Sequence, residues 1–127
     1  MLRIGSIVLG VSDLERAKKF WMAAIDYEPR DLDDDATWSV LVPKSGIGPQ
    51  LALQLSESSL QKHPRLHLDL YATDQKIEID RLLAIGAKEV TWDLYPIDAD
   101  FVVLEDPDGN KFCVIQKESA WKGFQGS

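Results

Sequence analysis

The chain has 127 residues, enough for one compact unit or two very small ones. Hydrophobic residues make up 45% and charged residues 28%, so the chain can bury a core and lacks the composition of a disordered segment. A formal net charge of -7 with a pI of about 4.7 repels phosphate backbones and anionic lipid, which argues against nucleic acid and membrane surfaces as partners.

The single cysteine, Cys113, cannot form an internal disulfide, so folding does not depend on an oxidising compartment. The first residues lack the apolar h-region of a signal peptide, and no apolar run approaches the ~20 residues that span a bilayer. The cytoplasm is the expected location.

Residues 2–10 read as a strand, with Ile7 and Leu9 on one face and Ile4, Ser6 and Val8 on the other. Ser12 followed by Glu15 forms a capping box. Leu14, Ala17, Phe20, Trp21, Ala24 and Ile25 then recur at helical spacing, which predicts an amphipathic helix over 13–25. Pro29 and the acidic run 31–35 end it; that run lacks EF-hand spacing and reads as a solvated loop. Strands are predicted at 38–42 and 51–55, with a third strand of this half somewhere in 27–36 or 43–50. The polar stretch 56–64 connects the halves.

Arg65 to Tyr71 alternates most sharply: Leu66, Leu68 and Leu70 face one way, Arg65, His67, Asp69 and Tyr71 the other. Thr73-Asp74 can cap a second helix with Ile79, Leu82 and Leu83 on its buried face, and Gly86 can close it. Further strands are expected at 89–94, 101–104 and 111–116, the last two joined by the turn Asp106-Pro107-Asp108-Gly109-Asn110. Each half thus runs strand, helix, strands. Aligning Ser12-Asp13 with Thr73-Asp74 places Ser6 opposite His67, a modest sign of duplication. The fold class is α+β: two βαβββ modules, 1–60 and 61–118, with paired mixed sheets forming a cup, and a tail at 119–127. Sheets with one leucine face and one polar-tinged face leave concave walls where a small ligand can bind.

Residues 7–17 followed by Phe20-Trp21, then Leu66-His67-Leu68-Asp69-Leu70, Thr73-Asp74, Gly86-Ala87 and 106–110, resemble in order and spacing the vicinal oxygen chelate superfamily. That superfamily includes glyoxalase I, bleomycin-resistance proteins and extradiol dioxygenases; the resemblance is greatest to its small glyoxalase-like domain branch. Metal-binding members use four His, Gln or Glu ligands facing the cup, from the first and last strands of each module. The matching positions here are Ser6, Gln54, His67 and Cys113. Ser6 stands in place of His and Cys113 in place of Glu, so the set is incomplete, and His67, Gln54 and Cys113 are the residues that could hold a metal, zinc for preference.

The resemblance therefore implies a protein that binds a small organic molecule, without a firm cofactor and as a homodimer. His67 is the first candidate for catalysis or ligand contact; its bland alternative is an imidazole satisfied by Asp69 or Tyr71. Gln54, Trp38, Trp92, Cys113 and Ser6 are candidate ligand-binding residues. Trp38 and Trp92 suit a flat ring, though both also read as core aromatics; Cys113 reads more readily as small buried packing, and Ser6 as structural. The alternative function is a lyase or isomerase using His67 as metal ligand or acid/base. Trp121 and Phe124 in the tail could dock on a partner subunit.

Overall fold

The computed structural model describes residues 1–2, 4–32 and 35–117, and the chain divides into two compact units between Leu60 and Gln61. The expected tail residues Trp121 and Phe124 lie outside the described residues. Among those described, no helix is long and apolar enough to cross a membrane.

The first unit runs β1 (Ser6–Val11), α1 (Leu14–Ile25), β2 (Tyr27–Pro29), β3 (Trp38–Pro43) and β4 (Gln50–Leu55). Its sheet has the order β1-β4-β3-β2, with β1 parallel to β4 and the other pairs antiparallel. The strand that the sequence left unplaced is Tyr27–Pro29, directly after the helix. The first strand starts at Ser6 rather than residue 2, because its partner begins only at Gln50, after Pro49, and leaves earlier residues nothing to pair with. The helix cap is Asp13 rather than Ser12: Arg16 N–H donates to Asp13 Oδ1 at 3.1 Å, while Ser12 Oγ accepts from the Arg16 guanidinium. Leu14, Ala17, Phe20, Trp21 and Ala24 form the buried stripe of α1, which packs on β2, β3 and β4. Ladder register puts Val11, Leu41, Leu51 and Leu53 on one face and Ser6, Val8, Ala52, Gln54 and Trp38 on the other.

The second unit repeats the plan with β5 (Leu68–Ala72), α2 (Gln75–Ala84), β6 (Lys88–Glu89), β7 (Phe101–Glu105) and β8 (Lys111–Gln116), in the sheet order β5-β8-β7-β6. Asp74 caps α2 by accepting from Ile77 N–H at 3.2 Å. Gly86, at φ +122°, ends it in a Schellman motif: Ala87 N–H reaches Leu82 O and Gly86 N–H reaches Leu83 O. Of the predicted apolar face only Leu82 is fully buried. Leu66 precedes the strand and is exposed, unlike Leu68 and Leu70.

A strand over 89–94 is not found; β6 stops at Glu89. Beyond it, Val103 N–H donates to the Tyr95 hydroxyl (2.8 Å) in place of a neighbouring strand's carbonyl, and Trp92 and Asp93 turn toward His63. The 106–110 turn behaves as expected. Asp106 is fully buried, and its carboxylate accepts from Asp108 N–H (3.0 Å), Asn110 N–H (2.8 Å) and Asn110 Nδ2 (3.1 Å).

On this sheet Leu68, Phe112, Val114, Leu104 and Gln116 share the helix side. Gln75 at the start of α2 donates its N–H to Gln116 Oε1 (2.8 Å) and its amide to Val114 O (2.8 Å), which fixes that face. The opposite face carries Asp69, Tyr71, Cys113 and Val103.

Candidate functional site

The second unit gathers the chemistry. Asp69 on β5 and Cys113 on β8 are register partners, and Val103 on β7 is the next neighbour across. His67 lies immediately before β5, two residues from Asp69. Alternation on an extended chain turns residues two apart to the same side, and His67 Nε2 lies 3.0 Å from Asp69 Oδ1. Both side chains are nearly half exposed, at 42% and 46%, so this pair contributes little to stability. Its value is chemical: an imidazole and a carboxylate stand side by side on an open sheet face, where one ligand can meet both.

Cys113 is buried. Desolvation pushes its thiol up to about 11, and the charge of Asp69 and a hydrogen bond to that carboxylate add to the shift. In the metal-free protein the thiol is therefore protonated at neutral pH, which suits a donor to Asp69 and disfavours a resting nucleophile.

One donor atom each from His67, Asp69 and Cys113 lies within 4.8 Å of the other two. Imidazole nitrogen, carboxylate oxygen and sulfur form a set that suits zinc; magnesium and calcium need more oxygens. Beside these donors is a recess of about 20 Å³, walled by Pro64, Trp92, Val103, Lys111 and Phe112 together with His67 and Cys113. That volume admits a single water or one small group of a larger molecule; a whole drug-sized ligand needs several hundred Å³.

Trp92 lies in the irregular segment after β6 and meets the His63 ring edge to face, with centroids 5.0 Å apart. His63 Nε2 is 2.7 Å from Asp93 Oδ1, and Lys62 Nζ is 3.4 Å from Asp93 Oδ2. The His63 hydrogen bond, aided by Lys62, holds the Asp93 carboxyl below its usual range.

In the first unit, Ser6 and Gln54 share a sheet face but not a site. Ser6 pairs with Gln50, and Gln54 pairs with Gly10 and Trp38, four ladder positions away or roughly 13 Å along the strand. Gln50 beside Ser6 is already engaged: its Nε2 donates to Gly5 O (3.0 Å) and its Oε1 accepts from Arg30 (3.1 Å). Gln54 is exposed beside half-buried Trp38. Of the six sequence candidates, His67 and Cys113 converge with Trp92 around the recess; Gln54 and Trp38 are cross-strand neighbours in the other unit; Ser6 stands apart from that pair.

Sequence reasoning treated Asp69 only as a neighbour that might satisfy His67, and missed it as a third donor. The signal was present in the His67-x-Asp69 alternation. The His63–Asp93 pair was missed because its members are 30 residues apart in irregular segments.

Residues 6–115 match the glyoxalase-like domain family, and the chain belongs to it. Its fold is that of the glyoxalase/bleomycin resistance/dioxygenase, or vicinal oxygen chelate, superfamily.

Among individual relatives, the chain is 23% identical over 121 residues to the uncharacterized protein YetH of Bacillus subtilis (strain 168), a match covering 88% of this chain and 96% of that protein. A glyoxalase/bleomycin resistance/dioxygenase family enzyme from Burkholderia phytofirmans PsJN superposes with a TM-score of 0.69 at 12% identity, covering 89% of this chain and 97% of the other. A superfamily member from Sphaerobacter thermophilus gives 0.64 at 23% identity, covering 92% and 98%. At these identities the structural likeness establishes the fold.

Proposed function

We propose that the chain binds a small organic molecule against the open sheet face of its second unit, with His67 as the principal polar contact. The observation that carries this reading is the His67–Asp69 pair, 3.0 Å apart, beside a recess walled by Trp92 and Val103. One small group of the ligand seats in the recess, and the rest lies along the face. Cys113 shapes the recess. Gln54, Trp38 and Ser6 are candidate ligand-binding residues of the first unit, taken by itself. A homodimer belongs to the same reading, and sedimentation of the purified chain measures it.

Native mass spectrometry of freshly purified protein, followed by thermal-shift screening of whatever it retains, tests the proposal. A ligand at 100 times its Kd adds about 2.7 kcal/mol of stability. That gain should vanish in His67→Ala and shrink in Trp92→Ala. A retained ligand whose affinity neither substitution changes would refute the assignment.

A second reading, a lyase or isomerase, is favoured by the 3.0 Å His67–Asp69 contact. An imidazole set beside a carboxylate on an open face is an arrangement that acid–base chemistry uses. Turnover of the retained molecule that is lost in His67→Ala, with binding kept, would select it.

A further inference from the structure

We propose that His67, Asp69 and Cys113 form a zinc site supplied entirely by the second unit, with an open fourth position facing the recess. This goes beyond the binding proposal and stands apart from it, since a small molecule could bind whether or not the site takes a cation.

Three observations support the assignment. The first is spacing. Zinc bonds of about 2.0–2.3 Å in a tetrahedron place ligand atoms roughly 3.3–3.7 Å apart. The His67 and Asp69 atoms are already 3.0 Å apart, and the whole set fits within 4.8 Å, so side-chain rotation closes the rest. The second is the scaffold. Asp69 and Cys113 are register partners on paired strands, which fixes their backbones, while exposed His67 leaves a path for the ion. The third is room. The recess beside His67 and Cys113 has the volume of about one water, the size of a fourth ligand.

The first unit cannot duplicate this site. Caps Asp13 and Asp74 are 61 positions apart, and the same offset carries the pair Val8–Ala52 onto Asp69–Cys113 and Ser6 onto His67. Serine, valine and alanine offer no comparable donors. The superfamily pattern draws ligands from both modules; here three donors come from one.

On binding, the Cys113 thiol loses its proton to solvent and its sulfur bonds the ion, with no change of oxidation state. Cobalt(II) is the probe, because thiolate coordination gives it a near-ultraviolet charge-transfer band and tetrahedral geometry gives intense visible bands. Titration of metal-free, full-length protein should show one equivalent with both signatures. Cys113→Ser should abolish the charge-transfer band. Asp69→Asn and His67→Gln, both at exposed positions, should weaken binding by more than about tenfold, since loss of even an outer partner costs that much. Far-ultraviolet circular dichroism confirms that each variant folds. Cobalt binding without the sulfur band, binding indifferent to Asp69→Asn, or binding lost in Gln54→Ala would each overturn a second-unit zinc site. The ligand screen under Proposed function is read separately, in the presence of a chelator.

Discussion

The Cys113 thiol offers the most direct quantitative check on the site. Its pKa of about 11, against an ordinary 9.0, makes the thiolate fraction at pH 8 about 100-fold smaller than that of a free cysteine. A more basic thiolate is also a better nucleophile, and that offsets roughly tenfold of the loss. Protonation alone should therefore slow alkylation only about tenfold, with burial slowing it further. The decisive measurement is the pH profile. In chelator-treated protein, the log rate of iodoacetamide modification should climb with unit slope through pH 9 and bend only near 11. Because Cys113 is the single cysteine, intact-mass spectrometry reads the reaction without ambiguity. Asp69→Asn removes the neighbouring charge while burial remains, so the bend should move part of the way back toward 9. A wild-type bend at or below pH 9, or no movement in Asp69→Asn, would refute this account of the site's electrostatics. The same shift sets a stability window. A raised thiol pKa means the folded state holds its proton more tightly, so this contribution is complete below pH 9 and is lost as pH rises through 11.

Other consequences are separable. Asp106→Ala removes three hydrogen bonds to a fully buried carboxylate and should cost about 3–5 kcal/mol in urea unfolding, allowing for non-additivity. Asp13→Ala and Asp74→Ala should each cost about 1 kcal/mol, and Ser12→Ala clearly less, because the aspartates accept from the helix backbone. Asp93 is held low by His63, so the stability it contributes is present above pH 3.8 and is lost as pH falls through the folded value; His63→Ala should raise its pKa toward 3.8 in a carboxyl NMR titration. Leu104→Ala, at a fully buried position on the helix side of the second sheet, should cost about 2–5 kcal/mol.

Much of the fold was legible because it is local. The alternation of 51–55 and the short apolar runs at 38–42 and 111–116 needed only local patterning, and the helix at 13–25 needed only a stripe and a cap. Elements decided by tertiary contacts were not legible. Tyr27–Pro29 is three residues long and exists because β3 offers it an edge. The run 89–94 has strand composition, but the Tyr95 hydroxyl takes a ladder donor that it would otherwise satisfy. Capping chemistry was misread by one residue, since Ser12 and Asp13 are both competent caps and only the backbone entry decides between them.

The candidate site shows the same division more sharply. The resemblance sets Gln54 with Ser6 as the first module's ligand positions, on residue type and the polar parity of the strand. Ladder register assigns the position equivalent to Cys113 to Ala52 instead, and Gln54 corresponds to Ile115. Register is a property of pairing, and a shift of two residues keeps a side chain on the same face while moving it roughly 7 Å along the strand. A sequence read for face alone therefore finds residues that point the right way without finding those that meet. His67, Asp69 and Cys113 meet because parallel pairing of β5 with β8 sets Asp69 against Cys113 and leaves His67 at the strand's mouth. The two units kept the backbone offset, but only the second retains titratable groups at these positions. Any proton, thiol or metal chemistry that depends on this cluster should follow substitutions in the second unit's ladder and be indifferent to Ala52→Ser, which adds a hydroxyl at the equivalent place in the first.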